Sequence, residues 1–492
     1  MEAACGQVRK LLHWTPVFVG EDMMLKWNGK LLWLSVLLAG CGGMVEGMEE
    51  TQAAGNVEQA WTGQEEPGAR SGATRWTQRL TGPSEELPGG VAHDKDGNVL
   101  IAASFSGSLS EARGTLGTAP VTERVSASVV AKYLPDGARV WARTFPVVVT
   151  AITTKPDRHV LLAGNVTGTV DLGGGPLSLG EFPTGLFLLE LDAKGRHVWS
   201  RVFPLEFTSF INANGLATDR SGNIALAATL RGAVFLGSRT ATADSSVVLI
   251  RFDARGTAQW VFEELQFGTS GGVAVDSDGN LYLAGTLITD LFEPRDFIPF
   301  VSRFSPSGTR LWRRQLETTF GEANAIGVHG NRVVVTGSFR EPLTFEGRTF
   351  VPEGGQEGFL LALTRDGDER WVRHFGVEGL DLAMDHRDDV VVVGRYENGN
   401  DLGRGPLAGV AGSDHNLFVA KFDRVDGRPR WTRGFAMAHP EGQSTSAGSY
   451  HVSVDEQGSS VFLGDLIAPM DVGPVTLRPS GSRDLFLLDS RP

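Results

Sequence analysis

The chain of 492 residues holds only two cysteines, Cys5 and Cys41, and both precede the patterned part of the sequence. A disulfide framework, a cysteine-ligated zinc and a cysteine nucleophile are therefore excluded from the folded body. Tyrosine is scarce, at 4, and the 10 histidines are scattered, with no H-E-x-x-H and no close pair at metal-ligand spacing. Basic residues number 45 against 58 acidic ones, a net charge of -13, and they form no cluster. Nucleic acid is thus no expected partner, because phosphate binding needs a concentrated basic surface. The apolar run from Leu31 to Ala39 is too short to span a bilayer, which takes about 20 apolar residues as a helix.

What is present is glycine, at 63, and tryptophan, at 11, in a composition of ordinary globular character. Near the N-terminus, Lys26 and Lys30 precede that apolar run and small residues follow it, the layout of a secretory signal. The stretch Leu38-Ala39-Gly40-Cys41 resembles the bacterial lipobox, in which a signal peptidase cuts before a cysteine that becomes lipidated. The resemblance implies lipid attachment at Cys41 and, with Gly42 in place of Asp, an outer-membrane address. Residues 1–22 are expected to be an upstream extension, with Met23 or Met24 the true start, and 23–40 the signal peptide. Residues 41–75 are polar and lack apolar periodicity, so they are expected to form a flexible tether.

From there the sequence repeats. One motif joins an apolar pair, a polar turn and an apolar strand, as in VAHDKDGNVLIAA, LATDRSGNIALAA, VAVDSDGNLYLAG and LAMDHRDDVVVVG, and it occurs seven times. A second follows six of the copies, alternating toward a tryptophan strand: VVAKYLPDGARVWART, FLLELDAKGRHVWSR, VAKFDRVDGRPRWTR. The seventh copy ends the chain without that strand, and the spare strand, ATRWTQRL, lies at the start. Trp76, Trp141, Trp199, Trp260, Trp312, Trp371 and Trp431 therefore recur about every 60 residues, the period of a β-propeller blade with four short strands, here called A to D. The expected fold is an all-β, seven-bladed β-propeller over residues 76–490. Its ring would close where the Trp76 strand joins the C-terminal blade, leaving no open edge.

These repeats resemble the bacterial β-propeller repeat family labelled SBBP, found in myxobacterial-type secreted lipoproteins, with G-x-A-V-D-S-x-G-N and D-x-x-G-x-x-x-W patterns. The resemblance implies the fold and no single activity. LDAKGRHVW is also similar to the repeat of quinoprotein propellers and of a related outer-membrane assembly lipoprotein, with a spacer one residue short.

Asp94, Asp96, Gly97 and Asn98, like Asp276, Asp278, Gly279 and Asn280, could form a calcium loop or a hairpin turn. A calcium loop needs six or seven oxygens, including a bidentate carboxylate further on, and Leu, Tyr, Leu, Ala and Gly follow Asn280. The turn is expected, with positive φ at its central residues supplied by Gly and Asn. One tryptophan per repeat on strand D is expected to pack blade on blade, not to stack on a ligand. Gly268 to Gly272 fit G-x-S-x-G, but a strand follows instead of the helix a nucleophile elbow requires. Gly173 to Gly175 lack the Lys-Ser/Thr of a phosphate loop, and His93 and His329 are expected to be solvated beside turns. No catalytic residue, metal ligand or cofactor is assigned.

Meander topology puts the short A–B and C–D turns on one side and the long B–C and D–A connections on the other. Long loops on a rigid scaffold are where binding resides. The expected function is a monomeric, non-catalytic envelope lipoprotein that binds a protein or glycan through those loops, touching the membrane only through its lipid. The alternatives are a propeller hydrolase or lyase with a central-channel site, and an accessory of outer-membrane assembly. The channel enzyme would need His, Arg or carboxylates on the A strands, which offer mostly Ala, Val, Ile and Thr.

Overall fold

The structure, a computed structural model, describes residues 71–492 except 122–126, 290–294, 354, 412, 414–415, 438–448, 474 and 482, and upstream only the backbone of a few short strands. The chain divides into two compact units, one of 1–57 with 441–448 and one of 58–440 with 449–492. In the first, Val17–Val19, Asp22–Trp27 and Lys30–Leu32 make a three-stranded antiparallel sheet. Cys41, the expected lipid attachment, lies outside the described residues.

The protein is all-β, 63% strand, with no helix among the described residues. In the second unit each repeat makes one antiparallel meander: Leu87–His93, Val99–Phe105, Ala127–Tyr133 and Arg139–Phe145 are A to D of the first sheet. The B and C strands, VLIAASF and ASVVAKY, are buried at every position. They read as near-continuous apolar runs because neighbouring sheets cover both of their faces. The D strand RVWARTF is buried only at Trp141 and Phe145 and otherwise reaches solvent, as an outer strand should. The third and fourth sheets are continuous, because Ala258–Val275 runs unbroken from strand D of one into strand A of the next. The last sheet comprises Tyr450–Val454, Ser460–Leu466 and Asp484–Ser490 from the C-terminus and Thr74–Leu80 from the other end, paired from Leu485↔Leu80 to Asp489↔Trp76. Two residues of the expected tether, Trp61–Thr62, add a short strand to its edge.

The A strands carry a feature the sequence did not disclose. In six of the seven the register slips by one residue at the same place, as between Val149 and Ala151 or Ala323 and Ala325. Each slip is a β-bulge, which bends the strand and turns its peptide groups toward a neighbour. Side chains from the adjacent sheet satisfy backbone groups there: Ser270 N donates to Thr229 Oγ1 at 3.0 Å, and Asn324 Nδ2 donates to the Gly379 carbonyl at 2.8 Å.

Between consecutive sheets lie apolar clusters. Leu100, Val130 and Trp141 of the first meet Val160, Leu162 and Phe187 of the second, and the pattern repeats down the chain. Every one of the seven tryptophans lies on a D strand, over the glycine of the next C–D turn. A Cβ added to Gly137 would fall 2.9 Å from Trp76 Cδ2, and one on Gly427 2.6 Å from Trp371 Cε3. The same contact joins Trp141 to Gly195, Trp199 to Gly256, Trp260 to Gly308, Trp312 to Gly367 and Trp431 to Gly72. The indole N–H donates to a carbonyl of the same turn: Trp76 to Pro135, Trp141 to Ala193, Trp260 to Pro306, Trp312 to Arg365 and Trp371 to Arg424, at 2.9–3.1 Å. Glycine is required because only it leaves room for the ring while holding φ near +70 to +90°.

Candidate functional site: a polar seam on the A strands

The turn residues are structural. In the first sheet Gly97 N donates to the Asp94 carbonyl and Asp94 N to the Asn98 carbonyl, a type I turn closed by glycine at φ 75°. Positive φ is thus confined to Gly97 and its counterpart Gly279, a correction to the expectation of two such residues per turn. The Asp94 carboxylate faces inward. It accepts from the amides of Asp96 and Asn98 and from Asn98 Nδ2, and Lys132 Nζ of strand C lies 2.7 Å away. Burial alone would raise its pKa, but Lys132 and Asn98 hold it below the ordinary carboxylate range. Asp276 is held the same way, with Asn280 and Arg365 overcoming burial.

This pairing of a turn residue with strand C recurs in three further repeats: Asp219 pairs with Arg251, Asp276 with Arg303 and also with Arg365 of a C–D turn, and Asp385 with Lys421. In the second sheet the charges are exchanged, with Lys155 in the turn and Glu190 on the strand, 2.7 Å apart. Here Asp157, His159 and Glu190 bring three potential metal ligands within 4.8 Å. Lys155 already occupies the Glu190 carboxylate, so the cluster is the same ion pair in reverse and makes a poor cation site.

The A strands offer mostly Ala, Val, Ile and Thr, and the structure brings their few larger polar residues together. Asp381 on Val377–Met384, His451 and Ser453 on Tyr450–Val454, and His93 on Leu87–His93 form one polar seam along three neighbouring A strands. His93 Nδ1 lies 2.9 Å from Ser453 Oγ, and His451 Nδ1 lies 3.9 Å from Asp381 Oδ2. Asp381 also accepts from the amides of Leu382 at 2.8 Å and Val452 at 2.9 Å. Thr154 Oγ1 of the next A strand donates to the His93 carbonyl at 2.7 Å. His93 is therefore half-buried and bonded, not solvated; His329 does stay exposed, paired with Asp388.

Protein crowds this seam although it keeps an opening: the side chains of His451 and Asp381 are 31% and 23% exposed. Desolvation raises Asp381 to about 7 and lowers His451 to about 4, the latter opposed by its bond to Pro88. His93 is lowered too, by burial, with Asp455 pulling against it. Both imidazoles are thus neutral at pH 7. A neutral histidine against a serine hydroxyl is half of a nucleophile arrangement. Among the described residues no carboxylate bonds the other ring nitrogen of His93, so the third member is missing. The seam offers hydrogen bonds to a ligand in place of a completed catalytic set.

Its titration is testable. Folding holds the Asp381 proton up to about 7 against 3.8 for the free group, so this residue loses stability as pH rises from about 4 to 7. His451 prefers neutrality in the fold, so its contribution is lost as pH falls from 6.5 toward 4. Asp381→Asn removes the first slope and keeps the second. Denaturant midpoints from pH 4 to 8 should climb more steeply with pH in the variant than in the parent; parallel curves would acquit Asp381.

The other sequence motifs resolve simply. Gly268 to Gly272 lie inside the strand Ala258–Val275 with Ser270 buried, so there is no elbow. Gly173 to Gly175 cap a hairpin, with the amides of Gly173 and Gly175 donating to Asp171 Oδ1.

The long connections are more ordered than their sequences suggest. The B–C loops fold into hairpins, among them Ser108–Glu111 with Gly114–Thr118, Leu343–Phe345 with Arg348–Phe350, and Met470–Asp471 with Thr476–Leu477. Leu109, Leu172, Val234, Leu343, Leu402 and Val472 pin them down by burial. Single bridges tie them to D–A connections, as at Thr81↔Ser110, Leu205↔Val234, Glu317↔Thr344 and Met437↔Met470. On this face Phe207 stays 57% exposed beside Phe182, whose ring lies 5.8 Å from Phe207 and 5.2 Å from Phe235, and Phe210 is 50% exposed.

No protein-family model and no curated protein matches this chain. Solved structures are similar to it at low identity. A protein of unknown function from Bacteroides caccae is 12% identical, over 56% of this chain and 78% of its own, with TM-score 0.32. One from Dyadobacter fermentans is 11% identical, over 84% and 98%, with TM-score 0.39. PorZ, a surface component of the type-IX secretion system of Porphyromonas gingivalis, is 9% identical, over 76% and 55%, with TM-score 0.29. At these scores the likenesses carry no inference about this chain.

Proposed function

We propose that the chain is a non-catalytic binding scaffold, a seven-bladed β-propeller exported and lipid-anchored at Cys41, which takes up an envelope protein or glycan on its long-loop face. Three series of contacts that return on themselves support the propeller. The A strands touch in chain order from Leu87–His93 through Val148–Thr154 to Tyr450–Val454, which touches Leu87–His93. The apolar clusters run likewise, the last uniting Leu463 and Leu487 with Ile101 and Val129. The tryptophan–glycine contacts end with Trp431 over Gly72, just ahead of the Trp76 strand. Export and anchoring rest on the residue pattern from Lys26 to Cys41.

The observation that carries the binding reading is the exposure of Phe207, in a D–A connection, and of Phe210, at the start of the strand Phe210–Thr218. Large aromatic side chains left exposed on an ordered face are a mark of an interaction surface. Capture from envelope extract, compared between the parent, Phe207→Ser/Phe210→Ser and a chain whose 395–416 loop is cut to a tight turn, tests it. One partner retained by the parent and lost from either variant is the expected result. Equal capture by all three would remove the long-loop face. The seam of His93, Ser453, His451 and Asp381 favours a second reading, a ligand or reaction at the A strands. Ester or glycoside turnover abolished by Ser453→Ala in the same preparations would put that reading first.

A further inference from the structure

Where the chain's two ends meet, the connection after Thr74–Leu80 lies against the start of Asp484–Ser490, and Glu86 N donates to the Arg483 carbonyl at 3.2 Å. Glu86 and Asp484 are both fully buried there. No donor meets either oxygen of Glu86, or Asp484 Oδ1, in good hydrogen-bond geometry, although the Asp484 carboxyl and the Gly82 amide lie close to Glu86. Asp484 Oδ2 is satisfied by Ser480, from its amide at 2.7 Å and its hydroxyl at 3.1 Å. The charged neighbours acting on Glu86 are Asp484 and Glu85, both acidic, and the Gly82 amide offsets them only in part.

Carbonyl oxygens lie beside the same glycines. A Cβ on Gly82 would meet Glu86 Oε1 at 2.2 Å and the Ser108 carbonyl at 2.6 Å. One on Gly481 would meet the Gly82 carbonyl at 3.3 Å, Asp484 Oδ1 at 3.4 Å and the Ser84 carbonyl at 3.6 Å. The Glu86 carboxyl and the Ser108 carbonyl thus pack directly on Gly82, while the Gly82 and Ser84 carbonyls and Asp484 Oδ1 face Gly481.

Two adjacent buried carboxyl groups without a cation must share a proton or hold a metal. The donor set is all oxygen, which disfavours zinc, and mixes carboxylates with backbone carbonyls on irregular loops, which suits calcium better than the strict octahedron of magnesium. We propose that Glu86 and Asp484, with the carbonyls of Gly82, Ser84 and Ser108, bind a calcium ion that fastens the N-terminal connection to the C-terminal sheet. This differs from the calcium loop weighed for the Asp94 and Asp276 turns, whose carboxylates are already saturated.

The test uses the full chain, stripped with a chelator and titrated with calcium or magnesium chloride at pH 7 while its thermal midpoint is followed. Calcium should raise the midpoint by several degrees in a saturable manner, magnesium much less, and Glu86→Gln and Asp484→Asn should each abolish the rise. If the pair instead shares a proton, calcium leaves the parent unmoved, and that result overturns the proposal. An equal rise in both variants, or an equal rise with magnesium, overturns it as well. Should one variant fail to fold, the other and the parent titration decide.

Discussion

A chain that begins at residue 90 should melt well below one that begins at residue 70, or fail to fold. The deletion removes the fourth strand of the last sheet, Thr74–Leu80, with Trp76 and Leu80 from the core and Thr77 and Gln78 from buried positions. A tryptophan buries about 150–250 Å², worth roughly 4–6 kcal/mol at about 25 cal/mol per Å² before entropy is set against it. The strand Asp484–Ser490 would become an open edge of unpaired amides and carbonyls. Asp489, buried and bonded to Arg75 at 2.8 Å, would lose its only basic hydrogen-bond partner among the described residues. Removing one partner from a buried ion pair typically destabilises by about 3–5 kcal/mol. Thermal midpoints of the two chains, with aggregation followed by light scattering, check this. Equal midpoints would contradict the closure.

Gly427→Val should destabilise far more than Gly399→Val. Both glycines have positive φ, 69° and 94°, so both substitutions force a β-branched residue into the left-handed region at about 1–3 kcal/mol. They differ in what the new side chain meets. At Gly427 it strikes the Trp371 ring, and at Gly399 it meets nothing within 4 Å. Overpacking a filled site adds about 1–3 kcal/mol, so the difference in unfolding free energy isolates the tryptophan contact. Equal losses would mean that backbone strain alone explains the glycine, and that the indole does not need it.

Much of this architecture is legible in the sequence because a repeat states its own alignment. The tryptophan period and the spare strand around Trp76 gave seven units of four strands without any contact information, and each strand lies in an antiparallel meander. The turn-to-strand ion pairs were legible too, though unread. Lys132, Glu190, Arg251, Arg303 and Lys421 occupy one position of strand C, and Asp94, Lys155, Asp219, Asp276 and Asp385 occupy one position of the turn. Their signs reverse together in the second repeat, which is the mark of a contact. The polar seam could not be read in this way. His93, Asp381 and the pair His451 and Ser453 belong to three different copies, each a departure from the apolar consensus at its own place, and only packing of neighbouring A strands unites them. Glu86 and Asp484 are harder still, since one lies in the connection after Thr74–Leu80 and the other begins the strand Asp484–Ser490, near the opposite end of the chain.

The central claim is that Thr74–Leu80 completes the last sheet, and hydrogen exchange on the intact chain tests it most directly. Amides of residues 74–80 and 484–490 should exchange together and slowly, at the rate of strand pairs such as Ala127–Tyr133 with Arg139–Phe145. Rapid, loop-like exchange across 74–80 while the other D strands stay protected would contradict the account, and with it the ring.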